Sequence, residues 1–283
     1  MIDLHQHTTF SDGTDNLDEI IAKNIAAGVD TMAITDHDNI DAAVYLASNT
    51  HKHYGVKFVN GVELSTDFEG LPVHILAYGY DVNDPIILDI LKTSKQLRLE
   101  RIQKRIELLK SEFNITLTPE QLEKVALSNN PNKPMLGHFL IDLGYGNTLD
   151  EVIQKYLYHK LPDAKIETTV VLNKLKKSTA TSVLAHPFGG VGEKRVDRET
   201  FKRRIAAFKN AGLMGLECYY SLYDEEEQQY LVNAANKNNL LISGGSDYHG
   251  KNKKVSIGEL SNYGFKPQNT QATLLNAVNI TEI

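Results

Sequence analysis

The histidines of this chain stand where chemistry could use them. Six of its ten histidines fall at or near the C-terminal end of a stretch that reads as a β-strand, and nearly every one has a carboxylate close by in sequence. Asp3-Leu4-His5-Gln6-His7 sets two imidazoles at i and i+2, so on a strand both project from one face and can share a cation. Asp12-Gly13 follows on a loop, then Thr35-Asp36-His37-Asp38, Gly61-Val62-Glu63 and His74. The second half adds Ala185-His186-Pro187, Leu216-Glu217-Cys218 and Ser246-Asp247-Tyr248-His249. Each has an ordinary structural explanation on its own, because a buried imidazole readily satisfies a hydrogen-bond partner and Asp-Gly pairs close turns. Together they make a nitrogen and oxygen donor set that suits manganese, iron or zinc better than calcium.

Residues this far apart in sequence meet if parallel strands deliver their C-terminal ends to one rim, as in α/β folds. The first eighty residues have that rhythm: apolar runs at Ile2 to His5, Thr31 to Thr35, Val56 to Val62 and Val73 to Tyr80, with a helix from about Leu17 to Ala27. Leu17, Ile20, Ile21 and Ile25 recur at helical spacing, Asp15 or Asn16 can cap the helix, and Gly28 ends it. From Asp84 to about Lys165 the pattern turns helical: Ile87, Leu91, Leu97, Ile102, Ile106 and Leu109 mark a long charged helix. An Asn- and Pro-rich stretch from Asn129 to Pro134 and two shorter helical segments follow it. Alternation then resumes, with strands at Ser182 to Ala185, Leu213 to Tyr219 and Leu240 to Ser243 and helices at Phe201 to Ala211 and Glu225 to Lys237. The tail from Asn262 to Ile283 is expected to carry one terminal helix.

Composition narrows the function classes. At 283 residues the chain fits two domains or one α/β barrel, and no stretch approaches 18 consecutive apolar residues, so a membrane span is not expected. The first residues lack a basic, apolar leader, and Cys218 is the only cysteine, which excludes an internal disulfide and a multi-thiolate zinc site. A cytoplasmic setting is expected. With 30 Lys and Arg against 36 Asp and Glu, the net charge of −6 argues against binding long duplex nucleic acid, though not against a small phosphorylated substrate.

The strings DLHQHTTFSDGT, ITDHDN, GVELS, HILAYGYD, LAHP and GGSDYHG, in this order and spacing, closely resemble the PHP family, named for polymerase and histidinol phosphatase. The resemblance covers residues 2–80 and 182–250. It implies an α/β fold, a distorted (β/α)7 TIM-like barrel over residues 1–83 and 166–283, with residues 84–165 as an inserted small helical domain that caps the substrate. It further implies two or three divalent ions, manganese first, with iron, zinc or magnesium as alternatives. Position by position, His5, His7, Glu63 and Asp247 would hold one ion, Glu63 with His74 and His186 a second, and Asp12, His37 and His249 a third. The insertion is similar to that of a stand-alone bacterial branch acting on nucleoside 3′,5′-bisphosphates and, in some members, on the 5′ ends of short RNA. That branch carries Arg-Pro-His, whereas Pro134-Met135-Leu136-Gly137-His138 keeps the histidine and lacks the arginine.

The expected activity is therefore hydrolysis of a phosphomonoester by a metal-dependent hydrolase, with catalytic roles for Glu63, Asp247 and His249. Arg101, Lys133, His138 and Tyr248 are the expected substrate-binding residues, with Arg98, Arg105 and Lys160 as further candidates and Glu217 as a partner that orients a ligand histidine. Arg98, Arg101 and Arg105 step at helical spacing, which fits a solvated stripe better than a substrate clamp. A histidinol-phosphate-type phosphatase, an amidohydrolase-like C–N hydrolase and a non-catalytic metal-binding module are the alternatives.

Overall fold

The computed structural model describes residues 1–49, 54–128, 131–159, 161 and 165–283. Asn129 and Lys160, singled out above, lie outside the described residues. In chain order the elements are β1 (Ile2–Asp3), α1 (Leu17–Ala27), β2 (Thr31–Met32), α2 (Asp41–Ser48), β3 (Lys57–Phe58), β4 (Gly61–Phe68) and β5 (Leu71–Tyr78). Then come α3 (Pro85–Phe113), α4 (Pro119–Leu127), α5 (Lys133–Asp142), α6 (Leu149–Tyr156), β6 (Ile166–Glu167) and α7 (Thr168–Leu175). The chain continues with β7 (Thr181–Leu184), α8 (Arg198–Ala211), β8 (Gly215–Tyr220), α9 (Glu225–Asn238), β9 (Leu241–Gly245) and β10 (Thr281–Glu282).

The first helix forms where its signals put it. Asn16 accepts from the Glu19 amide at 3.0 Å while the Glu19 carboxylate accepts from the Asn16 amide at 2.8 Å, and Gly28 closes the helix in the left-handed region at φ 76°. Leu17, Ile20 and Ile21 are buried, so the apolar stripe read from the sequence faces the core.

The strands build two sheets, in the orders β1-β2-β3-β10 and β6-β4-β5-β7-β8-β9. Pairs β1–β2, β2–β3, β7–β8 and β8–β9 are parallel. An all-parallel alternation was the expectation, and β5 departs from it by running antiparallel to both β4 and β7. The cause is local: Phe68 pairs with Leu71, and the two residues between them, Glu69 and Gly70, sit at φ 55° and 76°, a two-residue turn that folds the chain back on itself. Among the described residues the ladders do not form one closed ring, but backbone hydrogen bonds join the two sheets at both flanks. Leu4 N donates to Gly244 O at 3.1 Å and Asp247 N to His5 O at 2.8 Å, while Asp38 N donates to Glu63 O at 2.9 Å. The tail contains no α-helix: it makes two short 3-10 turns at Asn269–Gln271 and Thr273–Asn276, then β10 pairs antiparallel with β3.

The chain divides into two compact units, Met1–Ile90 with Glu167–Ile283, and Leu91–Ile166. The second unit has its own core, in which Ile102, Leu109, Ile115, Val125, Leu136, Leu140 and Val152 are buried together. Among the described residues it holds three short helices after α3, α4 to α6, where two were expected. In the first unit, Ile2, Met32, Val62, Leu64, Ile75, Leu76 and Leu216 are fully buried on the strands.

No helix among the described residues is long and apolar enough to cross a membrane. Contact between the flanks is tightest at Gly245, where an added Cβ would lie 2.2 Å from the His5 Cβ and 2.4 Å from its amide nitrogen. Gly245→Ala is expected to push His5 from its place and to destabilise the fold by about 1–3 kcal/mol, read from urea unfolding. Metal uptake measured on the folded fraction should fall as well.

Candidate metal centre

Glu63 is the centre of the site. Its carboxylate is 1 % exposed, on β4, and the bridge between His37 and Glu63 ties that strand to the segment after β2. Oxygen Oε2 lies 3.2 Å from His5 Nε2, 3.1 Å from His7 Nε2 and 3.1 Å from His37 Nδ1. Oxygen Oε1 lies 3.0 Å from His74 Nδ1 and 3.1 Å from His186 Nε2. His74 reaches it because Ser65 pairs with His74 in the β4–β5 ladder, which puts Glu63 and His74 diagonally on one face. Asp247 Oδ1 adds a second carboxylate, 3.6 Å from His5 Nε2, 3.4 Å from His7 Nε2 and 3.3 Å from His249 Nδ1. At the mouth, half-exposed Asp12 lies 3.3 Å from His249 Nε2 and 3.9 Å from His37 Nε2.

The outward atoms of the same side chains are held by a surrounding layer. His5 Nδ1 donates to Glu217 Oε1 at 2.9 Å, and the other Glu217 oxygen accepts from the His186 amide at 2.7 Å. Asp247 Oδ2 accepts from the Tyr220 hydroxyl and from Lys253 Nζ, each at 2.7 Å, which leaves Oδ1 for the centre. His186 and Asp247 each follow a strand by two residues and occupy the left-handed region, at φ 27° and 59°. That conformation is costly for residues with a Cβ and persists where the surroundings demand it.

Titration follows from this crowding. Burial alone would raise Glu63, but the charges of His37, His5 and His74 and the bond from His186 outweigh it and hold the carboxylate well below its ordinary range. Burial opposes protonation of His7 and His186 in turn. Asp247 and Glu63 nevertheless lift His7 to about 9, and Glu193 and Glu63 lift His186 to about 10. His37 and His249 go the other way, pushed down by burial and by the neighbouring His7.

The donor set fits divalent metal ions on two observations. His5 Nε2, His7 Nε2, His37 Nδ1, Glu63 Oε2, Asp247 Oδ1 and His249 Nε2 are buried yet make no hydrogen bond, a cost that native sites carry when another partner is intended. Candidate ligand atoms within 4.8 Å of one another form four groups: His7, Asp12, His37 and His249; His5, His7, Glu63 and Asp247; His37, Glu63 and His74; and His74, His186 and Glu193. All nine residues expected as ligands thus come together. Glu193 was not expected: it lies in a glycine-rich loop after His186, with Oε2 3.2 Å from His186 Nδ1. A carboxylate in the Gly189-Gly190-Val191-Gly192-Glu193 run, just past a strand-end histidine, was the available signal. Lys253 was also missed.

The expected substrate-binding residues divide between the two units. The Tyr248 hydroxyl donates to Asp15 Oδ2 at 2.6 Å and accepts from Lys23 Nζ at 2.9 Å, so it anchors its loop. Arg101, Lys133 and His138 belong to the second unit. There Arg101 donates to Leu161 O at 3.4 Å, and the Arg105 guanidinium donates to Leu157 O and His159 O, each at 3.2 Å. Burial, then the charges of Arg105 and Arg101, push the Lys133 ammonium down, which sets these three cations close together. His138 is exposed on α5.

The PHP domain family model matches residues 3–141. Over those residues the chain carries a PHP domain. It is similar to the 5′-3′ exoribonuclease Rnm of Escherichia coli, with 27 % identity over 90 % of this chain and 87 % of the relative. Similarity to the 3′,5′-nucleoside bisphosphate phosphatase of Chromobacterium violaceum is 28 %, over 88 % of this chain and 87 % of that one. Among solved structures, a Bifidobacterium adolescentis protein assigned as a metal-dependent phosphoesterase has the same fold, with a TM-score of 0.75, 24 % identity and coverage of 98 % and 96 % of the two chains. The chain is a metal-dependent phosphoesterase. Of the clustered residues, His5, His7, Asp12, His37, Glu63 and His74 lie inside the matched span, and His186, Glu193, Asp247 and His249 beyond it.

Two outcomes are expected. A cation needs neutral imidazoles, and His7 and His186 are protonated at neutral pH without one, so loading expels protons and affinity rises as pH climbs from about 6 to 9. Calorimetric titration of manganese in buffers of different ionisation enthalpy reads the released protons; a buffer-independent heat would contradict the assignment. Glu217→Gln should weaken metal binding about 10–100-fold through the orientation of His5, with the melting temperature of the metal-free chain little changed.

Proposed function

We propose that this chain hydrolyses the phosphomonoester of a small nucleotide, a nucleoside 3′,5′-bisphosphate, and the 5′ ends of short RNA. The ions would be two or three, manganese first, held by His5, His7, Asp12, His37, Glu63, His74, His186, Asp247 and His249. The observation that carries the reading is the set of buried, unbonded nitrogen and oxygen atoms around Glu63. The two relatives, one named an exoribonuclease and the other a bisphosphate phosphatase, support the choice of substrate. We take the two sheets, hydrogen-bonded at both flanks, as one distorted seven-stranded barrel with the site at its mouth, and Leu91–Ile166 as the substrate-capping insertion.

When bound, the ions neutralise phosphoryl oxygens and acidify water enough to supply a nucleophile at neutral pH. Glu63 joins the His5 and His7 side of the site to the His74 and His186 side, so it would serve as a ligand to ions held on either side. Lys253, which lines the small cavity with Glu63, His74, His186 and Asp247, presents a positive charge to the same oxygens. Proton relay to the leaving alcohol falls to Asp247 or His249, whose Nδ1 is oriented by the Asp247 carbonyl at 2.8 Å. Tyr248 holds the loop that carries both. Lys133, Arg101 and His138 contact outlying phosphates of longer substrates.

Two readouts on the manganese-loaded protein test the reading: phosphate release from nucleoside 3′,5′-bisphosphate and from histidinol phosphate, and mononucleotide release from short 5′-phosphorylated RNA. Turnover of histidinol phosphate alone would overturn the substrate assignment. Glu63→Gln is expected to leave a folded chain that binds fewer ions and loses about 10³-fold or more in kcat, since several kcal/mol of charge stabilisation go with the shared anchor. Lys133→Ala and Arg101→Ala should raise KM on RNA more than they lower kcat.

A further inference from the structure

A cleft of about 380 Å³ adjoins the centre within the first unit, and His74, His186 and Glu193 form its inner edge. Its walls are largely apolar, from Leu71, Val73, Leu184 and Val196. One strong cation lines it without a hydrogen bond. Arg204, on α8, is only 7 % exposed, and among the described residues its guanidinium makes no hydrogen bond and no ion pair. Other cations along this edge are committed or in solvent: Arg195 pairs with Glu227 and stacks on Tyr223, and Lys194 is exposed. Glu193, Glu69 and Asp67 act on Arg204 through their charge, but none of them hydrogen-bonds it, and Glu193 Oε2 is taken by His186 Nδ1 and by the Gly190 amide at 2.8 Å.

The stem of Arg204 is packed away while its guanidinium opens on the cleft with no hydrogen bond from the protein, and its planar fork suits a phosphate oxygen pair. The second unit offers a weaker case, since Arg101 and Arg105 already spend donors on backbone carbonyls. Resting on the proposed phosphomonoester hydrolysis, we infer that Arg204 binds a second phosphate of the substrate, carried on the leaving-alcohol side, while the apolar walls take the uncharged body between the two phosphates. The site thereby prefers an alcohol that is itself phosphorylated over one that is not.

Arg204→Met and Arg204→Lys test this against a matched pair of esters, adenosine 3′,5′-bisphosphate and adenosine 3′-monophosphate. Arg204→Met should raise KM for the bisphosphate about 10–100-fold with kcat within about threefold, and leave both constants for the monophosphate unchanged. Arg204→Lys keeps the charge and should recover most of the loss. Equal losses on both esters, or none on the bisphosphate, overturn the inference. If the wild type turns over neither ester, the hydrolase reading fails by itself, and calorimetric titration of the bisphosphate then decides the role of Arg204. Equal affinity of wild type and Arg204→Met would refute that role, and a 10-fold or greater loss would support it.

Discussion

One buried carboxylate dictates much of this molecule. Glu63 is removed from water, and an ionised group so placed is tolerated only if charge and hydrogen bonds surround it. Five imidazoles supply that surrounding, two on one oxygen and three on the other: His74 from within β5, and His5, His7, His37 and His186 from segments that follow β1, β2 and β7. Their mutual repulsion is the counterpart of the same need. Without cations the cluster balances itself with protons on His7 and His186; with cations it exchanges those protons for metal charge.

Holding the cluster demands a backbone that few sequences would choose. His186 and Asp247 turn into the left-handed region immediately past their strands, and Gly245 lets the His5 strand approach more closely than any side chain would permit. The strain is offset by neighbours: the His186 amide donates to Glu217, and the Asp247 amide donates to His5 O. Glu217 therefore serves two ligands at once, His5 through its ring and His186 through its backbone.

How much of this could be read beforehand depended on whether the signal was local. The His-x-His pair, the strand-end carboxylates and the first helix with its Asn16 cap and Gly28 stop were legible because a few adjacent residues carry each of them. Strand direction was not, since apolar runs look alike whichever way they pair, and only the left-handed Glu69-Gly70 turn reverses β5. The helices α2 and α7, eight residues each, are too short for their periodicity to stand out. The tail was misread as helical, where its Asn- and Thr-rich sequence supports only 3-10 turns before β10 docks on β3. Glu193 and Arg204 escaped notice for a different reason. Each looks like ordinary surface charge in sequence, and only the tertiary fold brings one to His186 and buries the other.

The arrangement of ring nitrogens argues for a site built in advance of its ions. His5 and His186 each aim Nε2 at Glu63 and give Nδ1 to an outer carboxylate, Glu217 or Glu193. His249 repeats the pattern, with Nδ1 on the Asp247 carbonyl and Nε2 toward Asp12. An Nδ1–H engaged outward fixes the tautomer whose Nε2 lone pair faces inward, and an outer carboxylate also makes that lone pair more basic. His37 and His74 reverse the sense, turning Nδ1 to Glu63, so the five rings converge on the carboxylate from two orientations instead of competing for one. Removing an outer carboxylate thus removes a direction from a ring, whereas removing Glu63 removes the point on which all the directions meet.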